Sequence, residues 1–184
     1  MQFRHERIEI YYLRLTMNES RIFQKVISGG QTGADQGALD AALEIGCPCG
    51  GWCPMGRRSE AGPIPDRYPV TEHSSESYQA RTEANIIDSD GTLVFTWGEP
   101  TGGTKETIVL AQEHGKPCFV VDLEERGPIQ DRDMIWQWGW ENNVFVLNVA
   151  GPRESKHPGV SAVVKESVLS LLTNRMNWKS PARK

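Results

Sequence analysis

Short runs of β-branched and other apolar residues alternate with helical segments along this chain, and that alternation limits the fold more than any other feature. The runs predict strands over 24–28, 47–52, 92–97, 117–122 and 144–149. The segments that follow them predict helices over 34–45, 77–88, 104–114, 131–141 and 160–172. Strands that alternate with helices connect through right-handed crossovers and form a parallel sheet. We therefore predict an α/β fold with a doubly wound, mainly parallel sheet and helices on both faces.

The 184 residues are enough for one domain with a sizeable core. We assign residues 21–176 to a single ligand-binding domain, 1–20 to an N-terminal extension and 177–184 to a basic tail. The extension could add an edge strand or be loose, and Met17 is an alternative start. The net charge of −4 argues against nucleic-acid binding, because that function needs a basic surface. No apolar run approaches the roughly 18 residues of a membrane span, and no signal peptide is evident, so we expect a cytoplasmic protein.

Two glycine-rich loops follow predicted strands, and each leads into a helix. With the ends of their strands, the first runs over Val26–Asp35 and the second over Leu93–Thr104. A helix N-terminus presents unpaired N–H groups to an anion, and glycine lets the backbone approach it closely. Neither loop has the G-x-G-x-x-G or Walker pattern, and a plain tight turn is the alternative for each. The loop residues that we predict to bind a ligand are Gly29, Gly30, Gln31, Thr32, Gly33, Thr101, Gly102, Gly103 and Thr104.

Because ligands bind outside the carboxyl ends of parallel strands, we expect both loops to meet at one edge of the sheet. We also expect Gly30→Val to abolish binding of a phosphorylated ligand while it leaves the fold intact.

Four arginines could supply positive charge to the same edge. Arg57 and Arg58 lie in a Pro- and Gly-rich segment, 53–66, that is too long for a mere connector. Arg81 shares a helix face with a residue four positions on, Asn85, and Arg153 follows the last predicted strand. A guanidinium gives bidentate donors to phosphate, although a pair of surface charges is the alternative for the first two. We expect at least two of the four to face the glycine loops.

The cysteines and the tryptophans are weaker signals. Three of the four cysteines have the spacing C-x-C-x3-C, which favours reduced thiols over a metal site, and we predict no metal site. The cysteines are Cys47, Cys49, Cys53 and Cys118. A series of three tryptophans spaced by two residues is typical of a subunit interface or a core edge rather than of a cofactor box. These are Trp136, Trp138 and Trp140.

A set of short motifs then occurs in a specific order between Val26 and Leu172. They are Gly29–Asp35, Gly51–Pro54, Gly56–Arg58, Gly62–Pro65, Arg81–Asn85, Asp88–Thr92, Gly102–Thr104 and Ala150–Arg153. With these motifs the chain resembles the putative molybdenum carrier family, also described as a circularly permuted branch of the SLOG superfamily. The resemblance implies a Rossmann-like fold, a homo-oligomer (dimer or tetramer) and a pocket for molybdenum cofactor or a nucleotide-like ligand. Met55 stands where the family pattern has a basic residue.

Three functions remain open. One is a carrier or binding protein for an anionic pterin- or nucleotide-like small molecule, and another is an enzyme that cleaves a nucleotide N-glycosidic bond. The related hydrolases carry Pro-Gly-Gly-x-Gly-Thr-x-x-Glu, but the position of the acid holds Thr107 here, and Glu106 comes one residue early. A threonine hydroxyl is a poor general acid or base, which favours binding over hydrolysis. A nucleotide-sensing module is the third function. We assign no catalytic residue.

Overall fold

The computed structural model describes residues 22–125, 127 and 129–173. The predicted N-terminal extension and basic tail lie outside the described residues. A 3₁₀ turn lies at Met55–Arg57. In chain order the strands and helices are β1 (Lys25–Ile27), α1 (Ala34–Glu44), β2 (Cys49–Gly50), β3 (Trp52–Cys53), β4 (Arg58–Ser59), β5 (Gly62–Pro63), β6 (Thr71–Glu72), α2 (Tyr78–Ile87), β7 (Gly91–Thr96), α3 (Gly102–Glu113), β8 (Cys118–Asp122), α4 (Arg132–Glu141), β9 (Val146–Ala150) and α5 (Val160–Thr173).

Five of these strands form a parallel sheet in the order β2-β1-β9-β7-β8. The prediction of a doubly wound α/β fold is confirmed. If β9 and α5 came first in the chain, the same sheet would read 3-2-1-4-5, which is the Rossmann order. The C-terminal strand therefore occupies the place of the first Rossmann strand. The strand order reverses between β9 and β7, and the carboxyl ends at such a reversal are where ligands bind.

Helices cover both faces of the sheet. On one face, apolar residues of α1, α4 and α5 pack on the strands and form the largest core. On the other face, α2 and α3 bury a smaller cluster that includes Ile86 and Leu110. Helices α1 and α5 touch through their backbones, because a Cβ at Gly37 would lie 2.3 Å from the Ser161 carbonyl oxygen. β7 is buried at every residue and contributes Leu93 and Phe95 to the largest core.

The segment between β2 and α2, residues 51–77, is an ordered insertion rather than the loop that the sequence suggested. β3 pairs with β6 in parallel, and β4 pairs with β5 as a hairpin. The predicted strand 47–52 ends early, because Gly51 turns the chain with φ of 124°. The insertion has its own small core against α1, formed by Leu39, Cys53, Ile64, Tyr68 and Val70.

The tryptophan series lies at the edge of the main core. Trp136 is buried and meets Phe23 edge-on at 6.4 Å between ring centroids. Trp138 lies 5.7 Å from the ring of Phe119. These two positions agree with the predicted core edge. None of the described helices is both long and apolar enough to cross a membrane.

Candidate functional site

A cavity of about 390 Å³ opens at the carboxyl edge of the sheet, where the strand order reverses. Its wall includes the residues that follow β1, β7 and β9, together with the first half of α2. Gly29 and Gln31 of the first glycine loop and Thr101–Thr104 of the second loop line the same cavity. The structure therefore brings the two loops together, and the loop after β9 completes the wall between them.

A buried ion pair forms the floor under the first loop. Arg81 of α2 reaches across to Asp35 in the first turn of α1, with 3.1 Å between Nη1 and Oδ2, and the side chains are only 13% and 7% exposed. The same Oδ2 accepts a hydrogen bond from the Gln31 backbone N–H at 3.2 Å. A Cβ at Gly29 would lie 1.2 Å from Arg81 Nη1, so only glycine leaves room for the guanidinium. Asp35 thus already accepts hydrogen bonds from the Gln31 N–H and from Arg81, two donors that the sequence analysis assigned to a bound anion.

Three residues of the first loop that the sequence predicted to bind a ligand contact other parts of the protein and do not line the cavity. Gly30, with φ of 74°, faces the insertion, because a Cβ there would lie 3.0 Å from Ile64 Cδ1. The geometry does not support the reason for expecting Gly30→Val to block an anion, because the added side chain would press on Ile64 of the insertion; the effect on binding stays a prediction. Thr32 donates its hydroxyl to Glu60. Gly33 packs against the loop after β9, where a Cβ would lie 2.4 Å from the Pro152 carbonyl oxygen.

The second loop presents an open helix N-terminus. Helix α3 begins at Gly102 without a side-chain cap from Thr101. A Cβ at Gly102 or Gly103 would meet no atom within 4 Å. The first N–H groups of a helix have no partner within the helix, and its dipole is positive at this end. This arrangement fits the negatively charged group of a ligand.

Positive and aromatic side chains surround that helix end. Arg153 and Lys156, in the loop after β9, line the cavity and are exposed. The Arg153 guanidinium lies over the Tyr78 ring, with 5.0 Å between Cζ and the centroid. The His157 ring stacks on Trp97 at 5.3 Å between centroids and an interplanar angle of 10°. The cavity therefore combines cations for an anionic group with aromatic faces for a planar ring.

The structure does not bring Arg57 and Arg58 into the cavity. The Arg57 guanidinium donates to the carbonyl oxygens of Ile64, Pro65, Tyr68 and Val70 inside the insertion. Arg58 pairs with Glu76 at 3.2 Å and is half exposed. Two of the four candidate arginines, Arg81 and Arg153, line the cavity.

Residues 26–172 match the model of the circularly permutated YpsA SLOG family. The chain belongs to this family. It is also similar to the crystal structure of a protein described as a putative molybdenum carrier protein from Syntrophus aciditrophicus SB, with 39% sequence identity and a TM-score of 0.80. That similarity covers 86% of this chain and 99% of the other. No curated protein matches the sequence of this chain. The resemblance inferred from the motifs is confirmed.

The permutation of the YpsA SLOG family is visible in the sheet, because β9 takes the place of the first Rossmann strand. It explains cavity residues that the sequence did not single out. Asn148, inside β9, is 2% exposed and lines the cavity, and a polar residue buried in an apolar strand was a signal for it. Lys156 and His157 had a weaker signal, since they follow Arg153 in the same loop.

In this family member, the cavity end of α3 carries Thr107 and Glu106. The Thr107 hydroxyl donates to the Gly103 carbonyl oxygen at 2.8 Å and is buried. Glu106 also lines the cavity, although one residue along a helix is about 100° of rotation. Glu83, the acid two residues after Arg81, is not among the residues that line the cavity, and its carboxylate contacts His114 Nε2 at 2.8 Å.

The hairpin of the insertion is fastened to the site through Glu60. Its carboxylate accepts hydrogen bonds from the Ser155 backbone N–H at 3.1 Å and from the Ser155 hydroxyl at 2.5 Å. The Glu60 N–H donates to Gln31 Oε1 at 3.0 Å. Desolvation raises the pKa of Glu60, but the hydrogen bonds from Ser155 and Thr32 outweigh it, so the pKa lies below its usual value. The fastening therefore persists at neutral pH.

Proposed function

We propose that this chain is a binding or carrier protein for a phosphorylated, pterin- or nucleotide-like small molecule. The observation that carries the proposal is the N-terminus of α3, which has no side-chain cap from Thr101 and lines the same cavity as Arg153 and Lys156. A phosphate there would accept hydrogen bonds from backbone N–H groups and meet two cations. The planar part of the ligand would lie among Tyr78, Trp97 and the floor of the cavity.

The similar structure is described as a putative molybdenum carrier protein, and we propose molybdenum cofactor as one cargo of this chain. The chain's residues fit its phosphate and its polar pterin ring in three respects. The helix end and Arg153 suit the phosphate, and the cavity of about 390 Å³ suits a ligand of drug-like size. The floor also has buried donors without a partner among the described residues, at Gln31 Nε2 and Arg81 Nε.

Hydrolysis of a nucleotide is the second candidate, and one observation favours it. Glu106 lines the cavity and is a carboxylate that could act as an acid or base. Thr107 holds the position of the hydrolase acid, however, and its hydroxyl is committed to the helix backbone. Binding without turnover is therefore the function that the geometry supports best.

The decisive variant is Gly103→Asp. An aspartate in the first turn would place negative charge where the phosphate is bound, yet would stabilise α3 by about 0.3–1 kcal/mol. We expect affinity for phosphorylated ligands to fall at least about tenfold, measured by isothermal titration calorimetry with pterin phosphates and nucleoside monophosphates. Gly103→Asn, of the same size without charge, is the matched control. Equal affinity in wild type and Gly103→Asp would refute the proposal.

The ligand itself can be sought in protein purified from its own host. Native mass spectrometry should show a retained pterin or nucleotide mass, and its loss in Gly103→Asp would connect that mass to the cavity. The homo-oligomeric state and the cytoplasmic location stay predictions, and light scattering in solution measures the first of them.

A further inference from the structure

Asp35 offers an acceptor at the floor of the cavity. Within the described part of the chain, the Asp35 side chain accepts hydrogen bonds at one oxygen, Oδ2, from Arg81 Nη1 and the Gln31 N–H. An ionised carboxylate has about four lone-pair sites on two oxygens. Asp35 lines the cavity and is buried. Its Oδ1 therefore remains an acceptor for a donor on the ligand.

Two buried donors belong to the residues that bond Asp35. Gln31 and Arg81 bond to the same Asp35 oxygen, and each carries a buried nitrogen without a partner among the described residues, Nε2 and Nε respectively. Gln31 is 4% exposed and lines the cavity. A buried donor without a partner is costly, and such groups concentrate where a ligand completes the bonding. The floor thus combines an acceptor with two buried donors on the residues that bond it.

From this juxtaposition, and building on the proposed function, we propose that the floor recognises a 2-amino-4-oxopyrimidine ring, the edge that guanine and pterins share. Its ring N–H and 2-amino group are adjacent donors that can share the two lone-pair sites of Asp35 Oδ1, and the neighbouring oxo group is an acceptor for Gln31 or Arg81. An adenine ring presents a nitrogen acceptor in place of the N–H, and that nitrogen would face the carboxylate. The site therefore selects the guanine and pterin class against adenine.

The spacing of the two loops fits such a ligand. β1 and β7 lie on either side of β9, so their carboxyl ends are two strand spacings apart, or about 10 Å. The phosphate at α3 and the ring at Asp35 would lie at opposite ends of that span. A nucleoside monophosphate or a phosphorylated pterin has the matching extended form.

Wild-type protein tests the proposal without any substitution. Calorimetric titrations compare guanosine, inosine, xanthosine and adenosine 5′-monophosphates, which share the ribose and the phosphate. We expect the guanosine nucleotide to bind most tightly. The inosine nucleotide should bind about tenfold more weakly, because it lacks one donor to a carboxylate. The xanthosine nucleotide should be weaker still, because its 2-oxo group opposes Asp35. A phosphorylated 2-amino-4-oxopteridine is titrated alongside the nucleotides. If it binds more tightly than the guanosine nucleotide, the site prefers pterins, and if it binds more weakly, the site prefers guanine nucleotides.

Equal affinity for all four nucleotides would overturn this proposal and leave the proposed function standing. Failure of every phosphorylated ligand to bind would instead refute the proposed function. Asp35→Asn should remove the preference for guanosine over inosine monophosphate, while weak binding of inorganic phosphate persists. Asp40→Asn is the control, because it removes a carboxylate from the same helix that bonds the Tyr68 hydroxyl outside the cavity. A preference retained in folded Asp35→Asn would count against the proposal, and if that variant does not fold, the wild-type series decides.

Discussion

At the scale of single residues, the candidate arginines differ in the contacts that they make with the rest of the protein. Arg153 is exposed over Tyr78 in the cavity, whereas Arg58 pairs with Glu76 outside it. We expect Arg153→Ala to weaken binding of a phosphorylated ligand roughly tenfold or more, since it removes a charge-assisted contact. Calorimetry measures the effect, with Arg58→Ala as the matched control. Similar losses in both variants would mean that long-range charge, not the cavity, governs affinity.

The thiol of Cys118 gives a prediction about pH. Burial raises the pKa of Cys118 to about 11. The native state therefore holds the proton more tightly than the unfolded chain, and this thiol contributes stability below pH 9 that is lost as pH rises towards 11. We expect native Cys118 to be alkylated slowly at pH 7.5 and faster as pH approaches 11. Site-resolved mass spectrometry measures the rate, and unfolded protein is the reference. Equal rates in native and unfolded protein at neutral pH would contradict the prediction.

At the scale of elements, the insertion depends on one guanidinium. Arg57 donates to backbone carbonyl oxygens that Ile64, Tyr68 and Val70 contribute. We expect Arg57→Leu to leave those oxygens without donors and to lower the free energy of unfolding by about 1–3 kcal/mol. Urea denaturation measures the loss, and hydrogen exchange should locate it in residues 51–77. Arg58→Leu, half exposed in the native protein, should change stability by no more than about 0.5 kcal/mol.

The strands and helices that follow local periodicity were predictable, and those that rest on distant contacts were not. The run over 92–97 has three consecutive apolar residues, Leu93, Val94 and Phe95, and β7 is buried along its whole length. The insertion, in contrast, has two-residue strands whose partners are up to 19 positions away, as in the pairing of Trp52 with Thr71. Strands of two residues are too short to show an alternation of apolar and polar residues. The hydrogen bonds from Arg57 to backbone oxygens do not depend on the identity of the accepting residues, so the sequence could not predict them.

At the scale of the whole molecule, strand order decides which loops become neighbours. Alternation predicted that all candidate loops share one edge of the sheet, but it could not place β9 between β1 and β7. That placement sets the loop of Arg153 and Lys156 between the two glycine loops and leaves 53–66 outside the cavity. Long-range pairing also turned Gly30 towards the insertion, which a local pattern could not reveal.

A carrier and a hydrolase differ in whether the cavity holds a carboxylate placed to cleave the bound nucleotide. Cleavage of an N-glycosidic bond needs a carboxylate near the bound nucleotide, and Glu106 lines the cavity next to Thr107. Because Thr107 stands in the place of the hydrolase acid, we expect no free base from a panel of nucleoside monophosphates after long incubation, measured by chromatography. Glu106→Gln should change no turnover and leave binding intact.

Glu83→Gln is the control for that experiment, because Glu83 contacts His114 away from the cavity. A general loss of fold would affect both variants, whereas loss of a catalytic acid would affect only Glu106→Gln. Free base that appears with wild type, persists with Glu83→Gln and vanishes with Glu106→Gln would identify a glycosidic hydrolase. In that case the carboxylate one residue before the expected position would be the acid, and a rotation of α3 by about 100° would separate this chain from the usual hydrolase geometry.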